Sequence, residues 1–255
     1  DNISGTAGVQ VPAGWVVSNV GDNTFNFKKK GEEKTFLFKV SAPSGPTEGE
    51  LVPFARIGEK EHTMRLITIE YDHIPQQSVL QSAKVHASRA DVRVSARNVG
   101  YYMGAGDEVP AALKQMGCNV ILLTDKDLEP AELKKLDAVV MGVRAYNTKE
   151  GLAFHNRQLL DYVSGGGTLI VQYNTTGELV VPETTMAPYS LKLSRNRVTD
   201  ETAEVRFILP GHAALNQPNK LNANDFSGWV QERGLYFPGE WDKAFEAPIS
   251  MNDPA

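Results

Sequence analysis

The feature that most constrains the fold is an alternation of short apolar segments and helix-like segments between residues 96 and 172. The apolar segments are almost uniformly hydrophobic, which is typical of strands buried on both faces. The segments between them have the spacing of amphipathic helices. The alternation therefore predicts a flavodoxin-like, three-layer α/β domain, with parallel strands at Asn98–Met103, Asn119–Leu123, Ala138–Met141 and Thr168–Gln172.

The first helix of this region has clear start and stop signals. Asp107 is a suitable N-cap, and Pro110 lies in the first turn, where its missing N–H is harmless. Gly117 is predicted to end the helix. Further helices are predicted at Pro130–Leu136 and Leu152–Ser164, and beyond residue 175 the alternation gives way to short strand-like segments and long loops.

The first 95 residues have an all-β pattern. Short aromatic or β-branched segments are separated by turns, and none shows convincing helical periodicity. This pattern predicts an immunoglobulin-like β-sandwich. Leu66–Ile69 is nearly all apolar and is predicted to be a central strand, and Asp91–Val94 a late one. The predicted domains are residues 1–95, a sandwich with a connector, and residues 96–255, the α/β domain.

Composition argues against several classes of protein. The chain has 26 basic and 31 acidic side chains, a net charge of −5 and no basic block, which argues against nucleic acid as a partner. No apolar run approaches the length of a membrane span. The single cysteine, Cys118, excludes an internal disulfide and a cysteine metal cluster. No histidine spacing indicates a metal site, so neither a metal nor a cofactor is expected.

Polar side chains follow the predicted parallel strands at their carboxyl ends, where ligands of such sheets bind. The candidate ligand-binding residues there are Asp107, Arg144, Tyr146, Asn147, Tyr173 and Asn174. Their position predicts a ligand-binding crevice. The alternative is that these residues are polar only because loops are generally polar. Arg144 could bind a carboxylate or phosphate through two hydrogen bonds, or form a structural ion pair with Asp107 or Asp125, and the ion pair is slightly favoured.

Several familiar catalytic and cofactor motifs are incomplete. Gly104–Gly106 begins a dinucleotide-binding pattern, but Val109 occupies the place of its third glycine. Cys118 precedes a strand, at the opposite end of the sheet from the crevice, and is predicted to be a small buried hydrophobe. His212, on a loop, and Asp107 are the candidates for acid–base catalysis. His212 has no partner recognisable from spacing; its candidate carboxylates are Asp225, Glu232 and Glu240.

Aromatic and polar residues are interleaved between Asp225 and Phe237. Such a mixture is typical of carbohydrate sites, because the C–H faces of sugars stack on aromatic rings. Trp229, Glu232 and Arg233 are therefore further candidate ligand-binding residues. The alternative interpretation of this segment is that its tryptophan is a hydrophobic-core residue of a loop-rich cap and binds no sugar.

Several segments together resemble one family: Gly100–Pro110, Val139–Thr148, Gly166–Thr175, Pro218–Lys220 and Trp229–Phe237. They are similar to the carboxy-terminal region of long, secreted PIG-L (LmbE-like) deacetylases of Bacteroidetes-type bacteria. In that family a zinc-dependent N-acetyl-sugar deacetylase domain comes first. A β-sandwich like the module found beside alpha-galactosidase domains follows, and a class I glutamine-amidotransferase-like domain comes last.

The resemblance implies a periplasmic or secreted accessory region, whose partners are a carbohydrate ligand and the deacetylase domain. It places no zinc ligand in this chain. The amidotransferase nucleophile would follow Thr168–Gln172, where Tyr173–Thr175 contains no cysteine, so no glutaminase activity is expected. Because the family continues beyond Met251–Ala255, truncation is expected there. Two alternatives stay open: a hydrolase-type enzyme that uses the crevice, and a structural or oligomerisation module.

Overall fold

The structure, a computed structural model, describes residues 2–229 and 234–254. It is mixed α/β, with several antiparallel sheets and one parallel sheet accompanied by helices. The chain divides into two compact units, Asp1–Asp91 and Val92–Ala255. This division lies four residues before the boundary expected at residue 95.

The first unit consists of antiparallel strands and turns. Its strands are β1 Ile3–Gln10, β2 Val16–Val20, β3 Thr24–Phe27, β4 Leu37–Ser41, β5 Thr47–Ile57, β6 Lys60–His62, β7 Met64–Tyr71, β8 Ile74–Ser82 and β9 Val85–Arg89. β1 lies between β3 and β5, and β5 also pairs with β6 and β9. β2 pairs with β4, and β7 with β8, as separate ribbons.

The core of the first unit is small. Phe25 is the only residue between positions 2 and 91 that is classed as buried, and its ring packs against Phe36 with the ring centroids 6.3 Å apart. Phe36, Phe38 and Val40 are half-buried and alternate with exposed neighbours. Phe38 and Val40 lie in β4, where side chains two positions apart point to the same side of the strand.

The prediction of a central strand at Leu66–Ile69 is wrong. This segment belongs to β7, which pairs with β8 alone in the described part of the chain. Leu66 is 62% exposed and its cross-strand neighbour Leu80 is 64% exposed. An apolar run does not reveal how many strands will flank it. The strand predicted at Asp91–Val94 is also wrong, since this segment forms no ladder and Val94 packs against a hydrophobic cluster of the second unit.

The second unit is built on a four-stranded parallel sheet. Its strands are β10 Asn98–Tyr102, β11 Asn119–Leu123, β12 Ala138–Met141 and β13 Thr168–Val171, in the order β11-β10-β12-β13. Its helices are α1 Val109–Gln115, α2 Pro130–Leu133, α3 Ala145–Thr148 and α4 Leu152–Ser164. The predicted parallel sheet is confirmed.

The two inner strands carry the core of this unit. All of β12 and all but the first residue of β10 are buried, whereas the outer strands are mostly exposed. Leu133 and Leu159 are fully buried in the cluster on one face. On the other face Cys118 is buried beside Val99 and Val140, as predicted.

Helix α1 ends as predicted but begins one residue later than expected. Gly117, at φ +97°, follows the C-cap residue Met116. The N-cap position belongs to Glu108 rather than Asp107. The Asp107 carboxylate nevertheless accepts a hydrogen bond from the N–H of Val109, so it still satisfies a free donor at the helix start.

The remainder of the second unit has short elements only. These are α5 Glu183–Met186, β14 Leu191–Leu193, β15 Arg197–Val198, β16 Arg206–Phe207, α6 Ala213–Asn216, β17 Gly234–Leu235, β18 Pro238–Trp241 and β19 Ile249–Ser250. They form three antiparallel pairs, β14 with β18, β15 with β17 and β16 with β19. None of the helices in the described ranges combines the length and hydrophobicity needed to span a membrane.

Two substitutions in α4 test the assignment of its buried face. Leu159→Ala should lower the free energy of unfolding of the second unit by about 2–5 kcal/mol, because it leaves a cavity under a fully buried side chain. Phe154→Ala, on the exposed side of the same helix, should change it by no more than about 0.5 kcal/mol. Urea unfolding followed by circular dichroism measures both. Equal losses would contradict the assignment.

Candidate functional site

The loops that follow β10 and β12 are in direct contact. The N–H of Ala105 donates to the carbonyl oxygen of Val143, and the N–H of Gly142 to that of Tyr102, both at 2.8 Å. A Cβ on Gly104 would overlap the carbonyl oxygen of Val143, and one on Gly142 would lie 2.7 Å from the nitrogen of Gly104. Glycine at both positions therefore permits the close approach.

Asp107 joins these two loops through hydrogen bonds. Its carboxylate accepts from the N–H groups of Val109 and Val143, at 3.0 and 3.2 Å, and from the hydroxyl of Tyr101. The side-chain amide of Gln172 donates to the same Tyr101 hydroxyl at 2.7 Å. Burial, reinforced by the Asp107 carboxylate, raises the pKa of Tyr101. The network holds together the ends of three strands, which gives Asp107 a structural role.

A second tyrosine–carboxylate pair lies at the ends of β10 and β11. The hydroxyl of Tyr102 donates to the Asp125 carboxylate, and burial together with this carboxylate raises the pKa of Tyr102. The two side chains line a cavity of about 540 Å³, with Thr124 and Lys149 among its other walls. The cavity corresponds to one side of the predicted crevice.

Arg144 lies exposed at the end of β12, in the left-handed conformation with φ +56° and ψ +28°. This conformation costs a non-glycine residue about 1–2 kcal/mol. Its backbone N–H donates to the carbonyl oxygen of Tyr173 at 2.9 Å. The predicted ion pair with Asp107 or Asp125 is wrong. Both carboxylates bind tyrosine hydroxyls instead, and Arg144 has no ion pair with any described residue.

Tyr146, Asn147 and Asn174, predicted to line the crevice, hold its loops together instead. The N–H of Tyr146 donates to the side-chain oxygen of Asn174 at 3.0 Å, and both residues are buried. The side chain of Asn147 accepts from the N–H of Thr175 at 2.9 Å and donates to the carbonyl oxygen of Gly177 at 2.7 Å. Burial raises the pKa of Tyr146. These contacts leave Tyr146 and Asn174 out of a ligand's reach in this conformation.

Tyr173 is different, because 39% of its surface is exposed at the same edge. Its ring stacks on that of Tyr236, with centroids 6.1 Å apart and an angle of 15° between the planes. The next residue, Phe237, lines a cavity of about 800 Å³ together with Trp241, which is 48% exposed. We name this series of residues, Tyr173, Tyr236, Phe237 and Trp241, the aromatic strip.

The cavity beside the aromatic strip lies among the short strand pairs of the second unit. Its walls are mainly apolar and include Val198, Phe245 and Ile249, while Asn196 and Glu246 supply polar groups. Its volume and its few polar groups are typical of small-molecule sites. The arrangement can stack against a flat apolar face and bind hydroxyl groups at its edge.

Trp241 is the functional candidate that sequence reasoning missed. It stands alone between Glu240 and Asp242, and no spacing marks it. Only the pairing of β18 with β14 places it against Leu191 and beside the cavity. A tryptophan within a loop-rich segment is the one signal in the sequence that could have indicated it.

His212 caps the amino end of α6. Its Nδ1 accepts from the N–H of Ala214 at 3.1 Å, which assigns the proton to Nε2, and Nε2 lies 3.0 Å from a carboxylate oxygen of Glu246. Its partner in the described part of the chain, Glu246, is not one of the carboxylates considered from the sequence. Among the described ones, the Asp225 carboxylate accepts from the N–H of Asn222 at 2.7 Å, and Glu240 pairs with Lys192. Both ring nitrogens of His212 are therefore engaged within the protein.

Part of the predicted carbohydrate segment has a local structural role. The indole N–H of Trp229 donates to the carbonyl oxygen of Asp225 at 3.3 Å, and its ring lies 5.7 Å from that of Phe226. Trp229 is 44% exposed and is not among the residues that line the cavity. Glu232 and Arg233 lie outside the described residues.

Among the described residues, no group of three or more histidine, cysteine, aspartate or glutamate side chains is arranged to hold a metal ion. Comparison of the chain with protein-family models, curated proteins and solved structures gives no match.

The buried tyrosines make the second unit sensitive to alkali. Because burial raises the pKa of Tyr101, Tyr102 and Tyr146, the folded chain retains protons that the unfolded chain releases above about pH 10. The free energy of unfolding should therefore be unaffected by these groups below that pH and fall above it. Tyr101→Phe should make the fall shallower, as urea titrations at increasing pH would measure. Tyr189→Phe, at an exposed ring, is the control; equal slopes in Tyr101→Phe and the parent chain would contradict the expectation.

Proposed function

We propose that this chain is a non-catalytic, glycan-binding region that positions a carbohydrate-active enzyme, with the aromatic strip as its binding surface. One observation carries the proposal: the exposed ring of Tyr173 stacks on Tyr236 at the sheet edge, and the next residue, Phe237, lines an apolar cavity together with Trp241. Sugar rings bind such surfaces through their C–H faces, while nearby polar groups bind their hydroxyls.

The bonding of the polar groups supports binding rather than chemistry at this edge. The carboxylates of Asp107 and Asp125 accept hydrogen bonds from buried tyrosines, and both nitrogens of His212 are engaged. A hydrolase-type enzyme would have to give up or share one of these contacts to exchange a proton with substrate. We therefore favour a binding role over the hydrolase alternative.

The family resemblance supports the same proposal independently. We infer an accessory region of a secreted or periplasmic PIG-L-type N-acetyl-sugar deacetylase, with the deacetylase domain as its partner. The strand order β11-β10-β12-β13 is in keeping with a flavodoxin-like second domain, and we infer an immunoglobulin-like sandwich for the first. We expect no release of acetate or of glutamine ammonia by this chain alone. Tyr173–Thr175 supplies no thiol after β13, and Cys118 is buried at the amino end of β11.

Two tryptophan variants test the aromatic strip. Trp241→Ala should weaken binding of a glycan ligand at least about tenfold, since it removes a stacking surface worth on the order of 1.4 kcal/mol. Trp229→Ala is the matched control, because Trp229 is similarly exposed but does not line the cavity. Isothermal titration against a panel of neutral and acidic oligosaccharides identifies the ligand and measures both variants.

Two results would count against the proposal. If the folded protein binds none of the oligosaccharides, glycan binding is rejected. If a glycan binds but Trp229→Ala weakens binding as much as Trp241→Ala, with both variants folded, the aromatic strip is not the binding surface.

A second candidate function, an oligomerisation module, is favoured by the ribbon formed by β7 and β8. Leu66 and Leu80 are cross-strand neighbours on one exposed face, and neither strand has another partner in the described part of the chain. Exposed apolar strands with open edges are common association surfaces. Light scattering at increasing concentration decides: a dimeric mass that Leu66→Asp abolishes favours this function, and a monomeric mass at every concentration rejects it.

A further inference from the structure

We propose that the glycan is acidic, and that Arg144 binds the carboxylate of a uronic acid residue at the Tyr173 end of the aromatic strip. The inference rests on the proposed function, since it names the class of glycan that the same surface would select. It is carried by the position of Arg144, by its lack of an ionic partner and by the flat aromatic surface beside it.

Arg144 is joined to the aromatic strip through the backbone. Its N–H donates to the carbonyl oxygen of Tyr173 at 2.9 Å, so the two residues lie side by side where β12 and β13 end. The carbonyl oxygen of Arg144 accepts from the N–H of Asn147 at 3.0 Å and from the hydroxyl of Thr148 at 3.1 Å. The backbone at Arg144 is therefore fixed on both sides.

The guanidinium of Arg144 has no anionic partner among the described residues. The carboxylates expected to pair with it, Asp107 and Asp125, accept hydrogen bonds from Tyr101 and Tyr102. An arginine is charged at any physiological pH and carries five donors in a planar fork. This fork matches the two oxygens of a carboxylate, and a ligand would supply the anion that the protein does not.

The backbone conformation indicates that arginine is not here for stability. At φ +56° a glycine or asparagine would be less strained. Strained residues of this kind cluster at active and ligand-binding sites, where the surrounding structure holds them in place. Arg144 is exposed and pairs with no described side chain, so no contact within the described structure explains its presence.

The neighbouring rings point to a sugar acid rather than to an isolated anion. Tyr173 and Tyr236 are almost parallel, and Tyr173 leaves more than a third of its surface open. A uronic acid combines an apolar C–H face with a carboxylate that projects from the edge of its ring. One residue of such a sugar can stack on Tyr173 and reach Arg144 together, because the two lie side by side.

The test compares acidic oligosaccharides with their own neutral counterparts. Oligogalacturonides, oligoalginates and oligoglucuronides are each titrated before and after chemical reduction of the carboxylates to primary alcohols. At least one acidic oligosaccharide should bind about tenfold or more tightly than its reduced form. Raising the ionic strength should shrink this preference, because an exposed ion pair is screened by salt.

Three variants of Arg144 assign the preference to this side chain. Arg144→Gln should bind the acidic and reduced forms equally. Arg144→Gly should do the same while folding at least as stably as the parent chain, because glycine adopts a positive φ without strain. Arg144→Lys, which keeps the charge but loses the planar fork, should retain only part of the preference.

Each outcome separates this inference from the proposed function. If acidic and reduced oligosaccharides bind the parent chain equally, the acidic ligand is rejected while glycan binding stands. If neither form binds, both proposals fail. If the preference persists in the folded Arg144→Gln and Arg144→Gly variants, the carboxylate binds elsewhere and the role of Arg144 is overturned.

Discussion

The close approach of the loops after β10 and β12 determines the geometry of the whole sheet edge. Gly104 and Gly142 leave room for this contact, and the Asp107 carboxylate holds it through backbone N–H groups and the Tyr101 hydroxyl. Arg144 begins the next turn two residues after Gly142. Its placement beside Tyr173, and with it one end of the aromatic strip, depends on this contact.

The buried tyrosines determine which charged side chains at this sheet edge have a hydrogen-bond partner within the protein. A carboxylate near an arginine would ordinarily pair with it, but Asp107 and Asp125 are satisfied by phenolic hydroxyls that burial keeps protonated. Neutral donors thus stabilise the acidic groups, and Arg144 is left without a counter-ion among the described residues. The tyrosines hold the loops by hydrogen bonds to the carboxylates, and in our proposal Arg144 recognises the anionic ligand.

How far the sequence predicts this molecule depends on the distance between the residues involved. The strands β11 and β12 and the helix α4 have the predicted bounds, because each is specified by its own apolar pattern. The prediction of an ion pair for Arg144 is wrong because its expected partners are hydrogen-bonded to Tyr101 and Tyr102 instead. Nothing in the sequence indicates these two tyrosine–carboxylate contacts. The stack of Tyr173 on Tyr236 joins residues far apart in the chain, so it depends on tertiary packing that no local pattern encodes.

The turn after β13 links the family resemblance to the proposed function. In class I glutamine amidotransferases, the family proposed for this region from its sequence, the residue at this turn attacks the substrate, whereas here the turn presents the exposed ring of Tyr173. The carboxyl end of a parallel strand places a side chain firmly at the crevice whatever its chemistry. We infer that the same rigid position, which would hold a nucleophile in an enzyme, holds a stacking surface in this chain. In this proposal binding needs an exposed Tyr173 ring, and the hydrogen bond from the Arg144 N–H to the Tyr173 carbonyl oxygen holds the two residues next to each other.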